Sequence, residues 1–115
     1  MTTIVIPWSM RLTANERLHW RAKAAKVKAI RDFVRMSADN RAVNTLEVWL
    51  DIFPPDKRKR DADNFVWTLK PCCDGLVSAG LVPDDTPHFM VKHMPTIHEV
   101  DKVNPRIELT YLAAS

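Results

Sequence analysis

Glycine, cysteine and long apolar runs are all scarce in this sequence, and each scarcity excludes something. Two glycines against eight prolines argue against flexible linkers and for stiff connections between elements. The two cysteines, Cys72 and Cys73, are neighbours. Adjacent cysteines are poorly disposed to bridge one another, and no second pair is present to complete a zinc site. They read as reduced, buried thiols, as expected of a cytoplasmic protein. No stretch approaches the roughly 18 apolar residues that span a bilayer. The opening Met1-Thr2-Thr3-Ile4-Val5-Ile6-Pro7 lacks the basic start and apolar run of a secretory leader. An excess of one charge sign is missing too. A net charge of +3 permits a nucleic-acid partner without requiring one, so the distribution of charge has to decide. Repeats and low-complexity segments are absent.

What is present fits one soluble domain over residues 1–115, with 46% apolar and 27% charged residues. Thr3 to Pro7 is β-branched and reads as a strand. Ala14 to Asp39 reads as one long helix without Gly or Pro. On it, Val27, Ile30 and Val34 face the core, while Arg17, Arg21, Lys28 and Arg35 form a cationic stripe elsewhere. Thr45 to Phe53 alternates, with Leu46, Val48, Leu50 and Ile52 on one side. Asn64 to Ala79 reads as a second helix closed by Gly80, with Pro71 expected to kink or divide it. Phe89 to Met94 and Arg106 to Leu112 are the last strands, joined by a polar connection from Thr96 to Pro105. The order βαβαββ predicts an α/β (α+β) domain, with helices packed on a small mixed sheet.

One stretch stands apart. Lys57-Arg58-Lys59-Arg60 runs directly into Asp61-Ala62-Asp63-Asn64, and Asp84-Asp85 follow after the second helix. Cations can hold a polyanion, and a few carboxylates with water suit magnesium at a phosphate. At i, i+2 in extended chain, Asp61 and Asp63 fall on one side. A returning turn can bring Asp84 and Asp85 alongside. A structural account is equally open for each residue: Asp63 as a helix N-cap, Asp84-Asp85 as turn residues, and the arginine stripe as a solvated face. On a regular helix Asp63, Lys70 and Asp74 lie within about 20° of one line. Lys70 could therefore face the acidic end and stabilise charge on a phosphoryl oxygen, or simply pair with Asp74.

The residues Arg58-Lys59-Arg60-Asp61-Ala62-Asp63-Asn64, Lys70, Asp74-Gly75-Leu76, Ala79-Gly80 and Asp84-Asp85 resemble the RusA-type Holliday junction resolvases, small endonucleases often carried on phages and prophages. The resemblance implies a RusA-like fold and a homodimer in the bacterial cytoplasm. It also implies Mg²⁺-dependent (or Mn²⁺-dependent) paired nicking of four-way DNA junctions in recombination and repair. It implies that Asp61, Asp63 and Asp85 hold the metal within reach of one common ion, and that Lys70 is the essential lysine. That lysine comes nearly two turns after the second aspartate, where the best-known members place it one turn after. Arg58, Lys59 and Arg60 are then expected to bind phosphates, with Arg17, Arg21 and Lys28 extending the track. Asn15-Glu16-Arg17-Leu18-His19-Trp20 also resembles phage-type members, without an assigned role. His19, His88, His93 and His98 are spare candidates for a general base, but are expected as surface or packing residues. Two other classes share the chemistry: a junction-binding protein without catalysis, and a metal-dependent phosphoesterase on small nucleotides.

Overall fold

A computed structural model describes residues 1–114. Seven regular elements follow in order: β1 (Thr2–Pro7), α1 (Trp20–Ser37), β2 (Thr45–Phe53), α2 (Val66–Ser78), β3 (Met90–Lys92), β4 (Thr96–Ile97) and β5 (Arg106–Ala114). Short 3-10 turns occupy Trp8–Met10 and Ala62–Phe65. The sheet order is β1-β5-β2-β3, with β4 also beside β2. β5 runs antiparallel to both β1 and β2, whereas β3 and β4 run parallel to β2. This is the α+β arrangement expected: two helices on a mixed sheet.

Period-two alternation decides the faces. Leu46, Val48, Leu50 and Ile52 of β2 are buried, as are Ile107, Leu109 and Tyr111 of β5 and Ile4 and Ile6 of β1. They form one core with Ile30 and Val34 of α1 and with Leu69, Cys72, Cys73 and Leu76 of α2. Both thiols are free and buried. Burial pushes the Cys73 thiol up to about 12 and the Cys72 thiol well above its ordinary value. Among the described residues no helix is long and apolar enough to cross a membrane.

Three expectations need correction. α1 begins at Trp20 instead of Ala14, because residues 13–16 fold on themselves. The Thr13 amide donates to Glu16 Oε2 at 2.7 Å, the Thr13 hydroxyl donates to Asn15 Oδ1, and the Ala14 amide is tied to the Asn64 carbonyl. The helix then starts where His19 Nδ1 accepts the Arg21 amide. Pro71 does not divide α2, which runs unbroken from Val66 to Ser78. The strand expected over Phe89 to Met94 is shorter, and the connection after it contains β4. Between the pairs Lys92↔Val48 and Thr96↔Asp51 the edge advances four residues while β2 advances three. The extra residue makes a bulge at His93–Pro95, where proline cannot donate to a ladder.

The end of α2 follows expectation. Gly80 takes φ +91°, the Gly80 amide donates to the Val77 carbonyl and the Leu81 amide to the Leu76 carbonyl. That double bond pattern is a Schellman cap, which wants glycine at the left-handed position. Two contacts fix the helix against its neighbours. The buried Thr68 hydroxyl donates to the Leu12 carbonyl at 2.6 Å and accepts the Leu12 amide at 2.9 Å. A Cβ on Gly75 would lie 2.7 Å from the Arg31 carbonyl oxygen and 2.8 Å from Val34 Cβ, so α1 and α2 meet where only glycine fits. Gly75→Ala is therefore expected to destabilise the fold by about 1–3 kcal/mol, the range for overpacking. Urea unfolding measures this, and an unchanged midpoint would contradict so close an approach.

Candidate functional site

Proline-rich chain after β2 ends the strand and turns the basic run outward. Asp56 organises the loop: its Oδ1 accepts the Arg58 amide at 3.1 Å and Arg60 Nη2 at 2.9 Å. Arg60 also donates to the Asp56 and Arg58 carbonyls and stacks 5.4 Å from the Trp8 ring centroid. Its side chain is only 16% exposed, against 84% for Arg58. Arg60 thus shapes the loop, while Lys57, Arg58 and Lys59 project into solvent. The cationic stripe on α1 is partly neutralised. Arg17 and Arg21 are exposed, Arg21 lying over Trp20, but Lys28 pairs with Asp32 at 2.6 Å. Lys23, on the apolar side of the helix, sits 3.2 Å from the Trp67 ring centroid.

Asp61 and Asp63 lie at the 3-10 turn that leads into α2, and both are exposed. Capping does not account for them. Asp61 makes no side-chain cap bond, and the residue before α2 is Phe65. Among the described residues neither carboxylate has a hydrogen-bond or ion-pair partner, although cations immediately precede them.

Asp85 is in the opposite situation. Its Oδ2 accepts Lys70 Nζ at 2.6 Å and Lys92 Nζ at 2.9 Å, and Lys70 also donates to Asp74 Oδ1 at 2.9 Å. Lys70 and Asp74 reach this point because the opposite face of α2 is buried. The turn after Gly80 returns Asp85 to them, and β3 supplies Lys92. Lys70 and then Lys92 hold the Asp85 carboxyl at about 2, while Asp85 and then Asp74 raise the Lys70 ammonium above its ordinary value. Asp84 accepts the Asp85 amide and so plays the turn role that its sequence also allowed. Lys92 was missed from sequence. Its only signal is a cation on the first strand after the acidic turn.

The expected meeting of Asp61, Asp63 and Asp85 around one ion is not found. Among the described residues no three His, Cys, Asp or Glu side chains are placed to hold a metal ion. The donors suit magnesium in kind, since all are carboxylates. Their arrangement does not, because Asp85 is already neutralised by two ammonium groups. No step of a reaction can be derived through a metal held this way.

The histidines take packing positions. His93 stacks on Trp49 at 5.0 Å with Nε2 2.6 Å from Glu47 Oε2. His98 repeats the pattern on Phe53 at 4.6 Å, with Nε2 2.7 Å from Asp51 Oδ1. Both pairs lie on the sheet face away from the helices. His19 caps α1, and His88 meets Phe89 edge-on.

Comparison with known proteins adds little. No family model matches the chain. It is 28% identical over 88 residues to an uncharacterised protein of Xylella fastidiosa (strain Temecula1), a match covering 69% of this chain and 58% of that protein. The chain therefore matches little more than half the length of that relative.

The Asp85 cluster has a pH signature. A depressed carboxyl contributes stability that is fully present above the ordinary carboxylate range and is lost as pH falls from about 4 to about 2. With Lys70 largely exposed, solvent screening reduces the contribution to about 1 kcal/mol. Asp85→Asn is expected to lose about that much at neutral pH, with the gap from wild type closing through that window. Urea unfolding across pH checks this, and a gap that stays constant down to pH about 2 would contradict the linkage.

Proposed function

We propose that this chain is a divalent-metal-dependent endodeoxyribonuclease of the RusA type, nicking four-way and other branched DNA as a homodimer. One observation carries the reading. Lys70 and Asp74 on α2 and Asp85 from the turn beyond it, all members of the resolvase-like pattern, meet in one surface cluster, while Asp61 and Asp63 stand unpartnered among the described residues after a run of four cations. Exposed carboxylates left free beside so much positive charge are available to a hard cation at a phosphate.

In this reading Arg58 and Lys59 hold backbone phosphates without reading bases, and Arg17 and Arg21 extend the track. Lys28 contributes less, because Asp32 offsets it. Mg²⁺, or Mn²⁺ in its place, is the proposed cofactor, with Asp61, Asp63 and Asp85 as its ligands. That assignment requires Asp85 to exchange its lysine partners. Lys70 belongs to the same proposal as a cation for a phosphoryl oxygen. A cytoplasmic location belongs to the same proposal and agrees with the two unbridged thiols.

A second reading, junction binding without cleavage, is favoured by one observation: the carboxylates are not gathered. End-labelled four-way junctions incubated with Mg²⁺ and resolved on a denaturing gel separate the two. The nuclease reading predicts paired nicks on opposed strands, weakening as salt rises. Asp63→Asn should lower cleavage at least about a hundredfold while leaving junction affinity unchanged or improved. Wild-type binding with no metal-dependent product supports the second reading. Nicking by Asp63→Asn at the wild-type rate refutes the site assignment.

A further inference from the structure

The segment after β1 is drawn against the basic loop by contacts described above. Thr68 clasps the Leu12 backbone, and the Ala14 amide is tied to the Asn64 carbonyl. Arg11, on one side of this staple, donates to the Trp8 carbonyl at 3.1 Å and lies 4.8 Å from the Trp8 ring centroid. Arg60 stacks on the same ring. Between the two segments is a cleft of about 190 Å³ whose walls include Arg11, Asn15, Arg58, Lys59, Arg60 and Asn64.

The walls carry four cations and no carboxylate. Asp56 pairs with two of these cations, Arg60 at 2.9 Å and Arg58 at 3.7 Å, and Glu16 is taken by Lys26 at 3.0 Å. Among the described residues neither Arg11 nor Lys59 has an ion-pair partner. Holding like charges together is unfavourable unless anions compensate, and Asp56 is one carboxylate against four cations. The size of the cleft restricts what that anion can be. Pockets for whole small molecules run to roughly 300–1,000 Å³, so this one takes a single group and not a nucleotide. Planar guanidinium forks and the Asn15 amide suit the tetrahedral oxygens of a phosphodiester. Arg60 and Asn64 bracket Asp61 and Asp63 in sequence, so a phosphate seated here lies beside the exposed carboxylates.

We propose that this cleft is a subsite for one phosphodiester group of the DNA backbone, with Arg11 as a binding residue. The proposal rests on the nucleic-acid reading above and adds the N-terminal segment, including Asn15, to it. The test uses the full chain in EDTA, so that nothing is cleaved. Binding of a fluorescein-labelled four-way junction and of a labelled duplex is followed by anisotropy at several salt concentrations. Losing one phosphate contact lowers the slope of log K against log[salt] by about 0.9 and weakens binding about eightfold at about 0.1 M salt. Arg11→Met should show both effects on both DNAs, Arg11→Lys should recover most of the slope, and Arg41→Met, exposed and just before the opposite end of β2, should match wild type. If wild type binds with a steep slope and Arg11→Met keeps it, or weakens binding without changing it, the subsite is wrong and the DNA reading stands. If wild type shows no salt-dependent binding to either DNA, both fall.

Discussion

The burial of α2 is the constraint on which the rest of the molecule depends. One side of the helix has no freedom. Cys72, Cys73 and Leu76 are fully enclosed, Gly75 admits α1 at backbone distance, and Thr68 satisfies both backbone groups of Leu12. A buried hydroxyl in that position cannot be given up cheaply, because its loss would strand a donor and an acceptor away from water. With that side pinned, Lys70 and Asp74 are held on the outside, at the level where the turn after Gly80 brings back Asp85. The same staple delivers Arg11 to the basic loop.

Charge is then sorted into two neighbourhoods, one self-neutralised and one in cationic excess. Around Asp85 the chain neutralises itself, with two ammonium groups on one carboxylate. Around Arg11 and Arg58–Arg60 it does so only in part, with Asp56 shared by Arg58 and Arg60 and no ion-pair partner for Arg11 or Lys59 among the described residues. Asp61 and Asp63 sit in the chain between these regions and belong to neither set of ion pairs. Such an arrangement is poorly explained by stability alone, since exposed pairs are worth little and uncompensated ones cost. The proposed contact with a phosphate and a cation would account for the cationic excess and for the unpartnered Asp61 and Asp63.

How much of this could be read from sequence depended on how local the signal was. β2 was found to the residue because Leu46 to Ile52 alternate strictly, and the Gly80 cap because few other residues tolerate its φ. The α1 start was missed because Asn15 and Glu16 have good helical neighbours but spend their side chains on Thr13. The edge strand was drawn whole because nothing near Met94 showed that β2 would advance out of step with it. Lys92 and Arg11 were invisible for a related reason: each acquires its role from a partner many residues away. The acidic pattern was legible, but the pairing of Asp85 with both Lys70 and Lys92 was not.

The central claim is that the acidic side chains accept a divalent cation once the clasp on Asp85 is exchanged. Titrating Mn²⁺ into the full chain and following free Mn²⁺ by electron paramagnetic resonance tests it most directly. The account predicts saturable binding that is lost in Asp85→Asn and tightened in Lys92→Met, where one competing ammonium has been removed. Absence of saturable binding, or binding indifferent to Asp85, would contradict it.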